Sequence, residues 1–324
     1  MKRSFVAACA ALVLAAAFSA TARAQDTNYP TRPIKLLIGF PVGGLLDTIS
    51  RIVGEKMGTL LGQQFVIEAR PGAGSTLATA ALAKAAPDGY TLMMINDNVA
   101  INPSVFKSIP YDSGKDLAPV GFVGSAPLVF ATHAGLGLKS VKDLIAMAKE
   151  KNGTMTYGSV GPGSLPHLTT ELFTQSAGVK MQHVPYKGGA PALNDLVAGH
   201  INSMMTSAVV SKPHIEAGRF NAVAVISKQR LGVLPNVPTM AEAGYPVEAA
   251  YWFGLMAPAG TPPAAIAKLE KALAETLADA AVKKRLADLG AIVTPMNAKD
   301  FGAYIQSETA KWADVVKKAG LKFN

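Results

Sequence analysis

From Ile34 onward the chain alternates short apolar, β-rich runs with helices of ordinary length, in two consecutive series. The first series reads IKLLIGF, a helix over Leu45–Leu61, QFVIEA, the turn RPGAGS, an alanine-rich helix near Thr76–Ala85, and YTLMMIN. Runs that stay apolar over successive positions and are separated by helices predict a parallel sheet covered on both faces. An irregular stretch, NPSVFKSIPYDSGKDL, then leads into VGFVGSAPLVFATH, and the second series begins. It reads a helix near Ser140–Lys151, TMTYGS, a helix over Leu165–Ser176, KMQHVPY, a helix over Pro191–Ala198, INSMMTS and FNAVAVIS. A proline- and glycine-rich segment, Asn236–Ala249, leads to AYWFGLMAP and two long C-terminal helices near Pro263–Leu277 and Lys299–Ala319. Two series joined by two extended stretches predict two α/β lobes, with the chain crossing between them twice. Ligands of open parallel sheets sit beyond the strand C-termini, so a cleft between the lobes is the expected site.

The first residues are set apart by composition. Lys2 and Arg3 precede the short apolar run Val6–Phe18, and Ala22-Arg23-Ala24 has the small-x-small pattern of a cleavage site. Residues 1–24 are therefore expected to be a secretory signal peptide, which places the mature protein in the periplasm. Cys9, the only cysteine, lies in that leader. A disulfide framework, a thiol nucleophile and a cysteine-based zinc site are thereby excluded from the mature chain. Loss of Lys2, Arg3 and Arg23 takes the formal charge from +9 to +6, spread along the chain. No clustered basic footprint suits nucleic acid, and the mild excess favours anionic ligands.

Two glycine turns carry the candidate chemistry. FPVGGLLDT, at residues 40–48, joins a strand to a helix and places Asp47 in the first helical turn. It lacks the lysine and hydroxyl of a phosphate loop and is not GxGxxG. The backbone N–H groups at such a helix start can still hold an anion, while the alternative is a tight turn whose acid favours the helix dipole. YGSVGPGSLPH repeats the device in the second series, with Ser159, Gly161, Pro162, Gly163 and Ser164 between strand and helix. It is no nucleophile elbow, and His167 reads as a packing or capping residue. Tyr186 and Lys187 close a third strand before Gly188-Gly189. The five histidines show no metal-ligand spacing, so no metal or cofactor is expected. Tyr251, Trp252 and Phe253 form an aromatic run at the lobe junction, where Trp252 can line a pocket or the core.

Over nearly all of the mature chain, these segments resemble the Bug family, the periplasmic solute receptors of tripartite tricarboxylate transporters. The resemblance rests on YPTRPIKLLIGFPVGGLLDTISR, ARPGAGS, KAAPDGYTL, YGSVGPGS-PH, VPYKGGAPALNDLVAGHI, NVPTMAEAGYP and WFGLMAPAGTP in this order. It implies a type II periplasmic-binding-protein fold, with lobe 1 from 25–122 and 251–324 and lobe 2 from 123–250. It also implies a non-enzymatic, monomeric receptor that hands a small organic carboxylate to a membrane permease; a sensor subunit and an enzyme on the same scaffold are the alternatives. The carboxylate loops carry over onto Pro41–Asp47, with Val42, Gly43, Gly44, Leu45 and Leu46 inside, and onto Ser159–Ser164. Leu45 and Leu46 stand where the family has small or hydroxyl residues, which favours a dicarboxylate with an apolar or aromatic body, such as adipate or terephthalate. Leu45, Leu46 and Trp252 are expected against that body, with Thr206 and Ser207 at the far carboxylate.

Overall fold

The computed structural model describes residues 28–322. The expected leader and Cys9 lie outside the described residues. The strands are β1 (Ile34–Ile38), β2 (Phe65–Ala69), β3 (Thr91–Asn96), β4 (Leu117–His133), β5 (Thr156–Ser159), β6 (Gln182–Pro185), β7 (Ser203–Ser207), β8 (Phe220–Ile226), β9 (Ala250–Pro258) and β10 (Ile292–Met296). The helices are α1 (Leu45–Leu61), α2 (Thr76–Ala83), α3 (Asn98–Val105), α4 (Val141–Glu150), α5 (Leu165–Ala177), α6 (Gly189–Ala198), α7 (Ala208–Glu216), α8 (Pro263–Ala278), α9 (Ala280–Asp288) and α10 (Ala298–Lys318).

The strands run in the order β2-β1-β3-β9-β4-β7-β5-β6, with β8 and β10 also paired to β4. β1 is parallel to β2 and β3, and β5 is parallel to β6 and β7, giving one parallel unit in each half. β4 is a single strand of 17 residues that serves both halves. Residues Leu117–Pro127 pair with β9, and Leu128–His133 pair with β7 and β8. Ala250, where the chain returns, lies opposite Pro127, so both crossings meet at one place.

Alternation along the central strands divides the core. Leu36, Ile38, Leu92 and Met94 pack with Ile49, Val53 and Met57 of α1 on one face of the first half. Leu37, Met93 and Ile95 point to the other face, into a cluster that continues through Phe122, Trp252, Phe301 and Trp312 to Phe130 and Phe173 of the second half. Helix α10 closes this shared face, and the Gln175 side chain of α5 donates to the Val315 carbonyl.

Four elements differ from the sequence reading, one of them α7, which the reading left out between INSMMTS and FNAVAVIS. NPSVF, expected to be irregular, supplies the end of α3: Val99, Ala100 and Ile101 are buried, and Pro103 costs only one donor near the helix end. Helix α9 follows α8 after a break at Asp279, whose carboxylate accepts from the Ala281 and Val282 amides as an N-cap. The run Ile292–Met296 becomes β10 because β4 offers it an open edge.

Gly254 of β9 gives a sharp test of this packing. A Cβ there would lie 2.1 Å from Cζ of the buried Phe301, whose ring is set edge-on to Phe122 and Trp252. Gly254→Ala is expected to destabilise by about 1–3 kcal/mol through overpacking. A denaturant melt should show the loss, and Phe301→Leu in the same chain should recover part of it.

Candidate functional site

The C-terminal ends of β1, β2 and β3 in the first half lead into the starts of α1, α2 and α3, and those of β5, β6 and β7 lead into α5, α6 and α7. Each helix start leaves amides without intrahelical acceptors. Gly163, in the second-half turn, lies against α3 of the first half: a Cβ there would be 2.5 Å from Val105 Cγ1. The second-half loop therefore sits at the junction of the two halves.

In the first loop, Gly44 caps α1 with no side-chain hydrogen bond, which leaves the first-turn amides of Leu45, Leu46 and Asp47 without an intrahelical acceptor. Gly43 has a φ of 84° and its N–H donates to Asp47 Oδ2 at 2.8 Å. Arg51 Nε donates to the same oxygen at 3.1 Å, and a terminal nitrogen of Arg51 lies 3.0 Å from the other. Asp47 is only 4% exposed, and its hydrogen bond from Arg51 holds its carboxyl below the usual range. This acid shapes the loop. Val42 is 65% exposed, and Leu45 is half-buried beside it. Leu46, expected on a ligand, points instead into the core with Ile49 and Val53, because the second position of the helix turns inward here. The adjoining β2–α2 loop touches this one: a Cβ on Gly39 would lie 1.8 Å from Ser75 Oγ and 2.8 Å from its Cα. Ala73 and Ser75 hold positive φ values of 46° and 74°, a local strain of the kind found at ligand-holding turns.

The second loop is tied together from inside. The Gly161 N–H donates to Ser159 Oγ at 3.1 Å, and the Ser164 N–H and hydroxyl both donate to the Gly161 carbonyl. The Gly163 N–H donates to His167 Nδ1 at 2.9 Å. Ser159 Oγ lies 2.6 Å from His183 Nε2, and the rings of His167 and His183 stack at 3.9 Å. Burial lowers both imidazoles, His167 to about 3, with the His183 ring adding to its shift, and His183 to about 4. Both rings are therefore neutral at pH 7. The sequence reading expected the amides of Gly43, Gly161 and Gly163 to face an anion; these three are already spent within their loops. What remains at each loop is the first turn of the helix that follows. Pro162 is exposed at the tip.

Tyr186 donates through its hydroxyl to Asp195 Oδ2 at 2.6 Å and through its N–H to the Ser159 carbonyl, so it braces the second loop. Lys187 is exposed and, among the described residues, has no carboxylate within ion-pair distance. Thr206 is buried at the end of β7, and half-buried Ser207 caps α7. Trp252 is 0% exposed, enclosed by Phe122, Phe301 and Tyr304. It is core and offers a ligand no surface, since β9 runs through the middle of the sheet. The histidine pair was missed as a pair, because only the register that sets Tyr157 opposite His183 brings β6 beside the start of α5. A polar residue inside the apolar run HVPY was the available signal. Among the described residues no group of three His, Cys, Asp or Glu is placed to hold a metal, and no helix is long and apolar enough to cross a membrane.

Residues 49–321 match the Tripartite tricarboxylate transporter family receptor. The chain belongs to this family. It is 39% identical to Protein BugT of Bordetella pertussis (strain Tohama I), over 96% of both chains. The solved structure of R. palustris Rpa4515 with adipate is 34% identical and superposes with a TM-score of 0.81, covering 91% of this chain and all of that one. MatC (Rpa3494) from Rhodopseudomonas palustris with bound malate is 31% identical with a TM-score of 0.75, over 89% of this chain and all of that one. The fold is thus the two-lobed type of these receptors.

Proposed function

We propose that this receptor captures a small dicarboxylate with an apolar body in the cleft between its lobes and delivers it to a tripartite tricarboxylate transporter permease from the periplasm. The observation that carries the reading is the pair of strand-to-helix loops, one in each half, whose helix starts have no side-chain cap, at Gly44 and Ser164. Uncapped helix N-termini favour an anion without a buried cationic clamp, and each N–H···O⁻ bond is charge-assisted. The adipate held by one neighbour and the malate held by another support the carboxylate class. With Leu46 in the core, the apolar preference rests on Leu45 and on exposed Val42. The Ser159–His183 contact resembles a nucleophile–base pair, but Ser159 is 0% exposed and braces a turn, which argues for a receptor and against an enzyme. We place lobe 1 at 25–122 and 251–324 and lobe 2 at 123–250, closing about the meeting point of Pro127 and Ala250.

A thermal-shift screen of mono- and dicarboxylates tests this. Adipate or terephthalate is expected to raise Tm by several degrees, since ligand at about 100 times Kd stabilises by about 2.7 kcal/mol. A preference for malate or citrate would remove the apolar part of the reading. Indifference to every carboxylate, or steady conversion of a bound one, would remove the receptor itself.

A further inference from the structure

We infer that the stacked His167–His183 pair is the positioning device of the second-lobe loop, holding Ser159–Ser164 in the shape that presents the start of α5 to a carboxylate. The inference deepens, and rests on, the receptor reading above.

The geometry starts from Gly163. Its φ of 72° keeps it in a conformation few other residues adopt, and its N–H finds its acceptor in His167 Nδ1 at 2.9 Å. A backbone N–H can only donate, so Nδ1 must be bare and the ring proton must sit on Nε2. One tautomer of the neutral ring fits; an imidazolium would set N–H against N–H and open the turn. His183 lies 3.9 Å away at 8° from parallel, and its Nε2 meets Ser159 Oγ at 2.6 Å. The same hydroxyl receives the Gly161 N–H, so each histidine fixes one end of the loop. Tyr157 covers the stack at 5.0 Å from His183 and donates its hydroxyl to Glu171, a further titratable group at the cluster. Two facing cations at this spacing would repel strongly in a site this dry, so the pair holds the loop only while both rings are neutral. Burial, which lowers both rings to about 3 and about 4, secures that state at physiological pH.

The assignment separates a positioning role from a packing role through the variants chosen. Asparagine at 167 keeps an acceptor where Nδ1 stands, and glutamine at 183 keeps a polar atom where Nε2 stands. Leucine at either position fills space and removes the polar atom. With adipate as the probe in calorimetry, His167→Asn and His183→Gln are expected to stay within about threefold of the parent, while His167→Leu and His183→Leu weaken binding by about tenfold or more. The parent-to-His167→Asn affinity ratio is expected to hold from pH 7 to 5 and fall below pH 4, a comparison from which the titration of adipate itself cancels. Two readouts need no ligand. Ring nitrogen shifts should show a bare Nδ1 on His167 at pH 7, and the Gly163 amide should exchange with solvent about tenfold faster or more in His167→Leu but not in His167→Asn. A protonated Nδ1 at pH 7, or unchanged Gly163 exchange and adipate affinity in His167→Leu, overturns the assignment. If exchange behaves as expected and no carboxylate binds the parent, the loop-holding role stands and the receptor reading alone falls.

Discussion

Replacing Asp47 with alanine is expected to lower carboxylate affinity by about tenfold or more and to cost about 2–3 kcal/mol of folding stability. Arg51 is the more conspicuous partner, yet its side chain is 56% exposed, and an ion pair of that kind contributes little. The larger share comes from the Gly43 N–H, which donates to a carboxylate almost removed from water. Hydrogen bonds to charged groups are worth about 1.5–3 kcal/mol, and an acid in the first helical turn adds about 0.3–1 kcal/mol through the dipole. Without that acceptor, Gly43 loses what fixes its positive φ, and the chain entering α1 loses its path. Asp47→Asn keeps an acceptor for Gly43 and should retain most of the affinity. Calorimetry with urea melts on both variants checks this; full affinity in Asp47→Ala would show that the loop is shaped by something else.

The second large effect is a pH dependence hidden by two opposing groups. His167 and His183 stay neutral in the fold, while in the unfolded chain they protonate as pH falls through about 6.5. Their lowered values therefore cost stability on acidification, about 2 kcal/mol each between pH 7 and 5, or about 4 kcal/mol for the pair. Asp97 acts the other way. Burial, with the Glu308 charge nearby, raises its carboxyl to about 7 against the partial relief of Asn96 and Lys311. Between about pH 4 and 7 the unfolded carboxyl is ionised and the folded one protonated, so acidification from 7 to 5 returns about 2 kcal/mol. These three groups together are expected to take about 2 kcal/mol from the parent across this range and about 4 from Asp97→Asn, and to leave the His167→Asn/His183→Gln double variant a contribution of about +2. Calorimetric melts at pH 5, 6 and 7 decide it; parallel profiles for all three proteins would refute the assignment of these groups.

Most of the fold was legible in the sequence because the signals were local. The apolar runs marked the parallel strands, and the stretches between them marked α1 over Leu45–Leu61 and α4 near Ser140–Lys151. What stayed hidden was set by partners distant in sequence. Helix α3 and strand β10 exist because burial and an open strand edge outweigh weak local preference. The two loops were found from their glycines, but which amides remain available was not readable. That depends on Asp47 turning back to Gly43 and on His167 reaching Gly163. Trp252 and Leu46 were placed on a ligand because an aromatic or a leucine beside a turn looks the same in sequence whether it lines a cleft or fills a core.

The long strand β4 has a consequence for how such a molecule can be divided. Because residues on either side of Pro127 complete different halves, and β9 returns beside the same residue, a border drawn anywhere through the sheet leaves each fragment with a raw edge. Helix α10 adds a second seam, closing an oily interior that belongs to neither fragment alone. The protein is therefore built as an indivisible frame with two jaws, closer to sprung tweezers cut from one strip than to a pair of beads on a string.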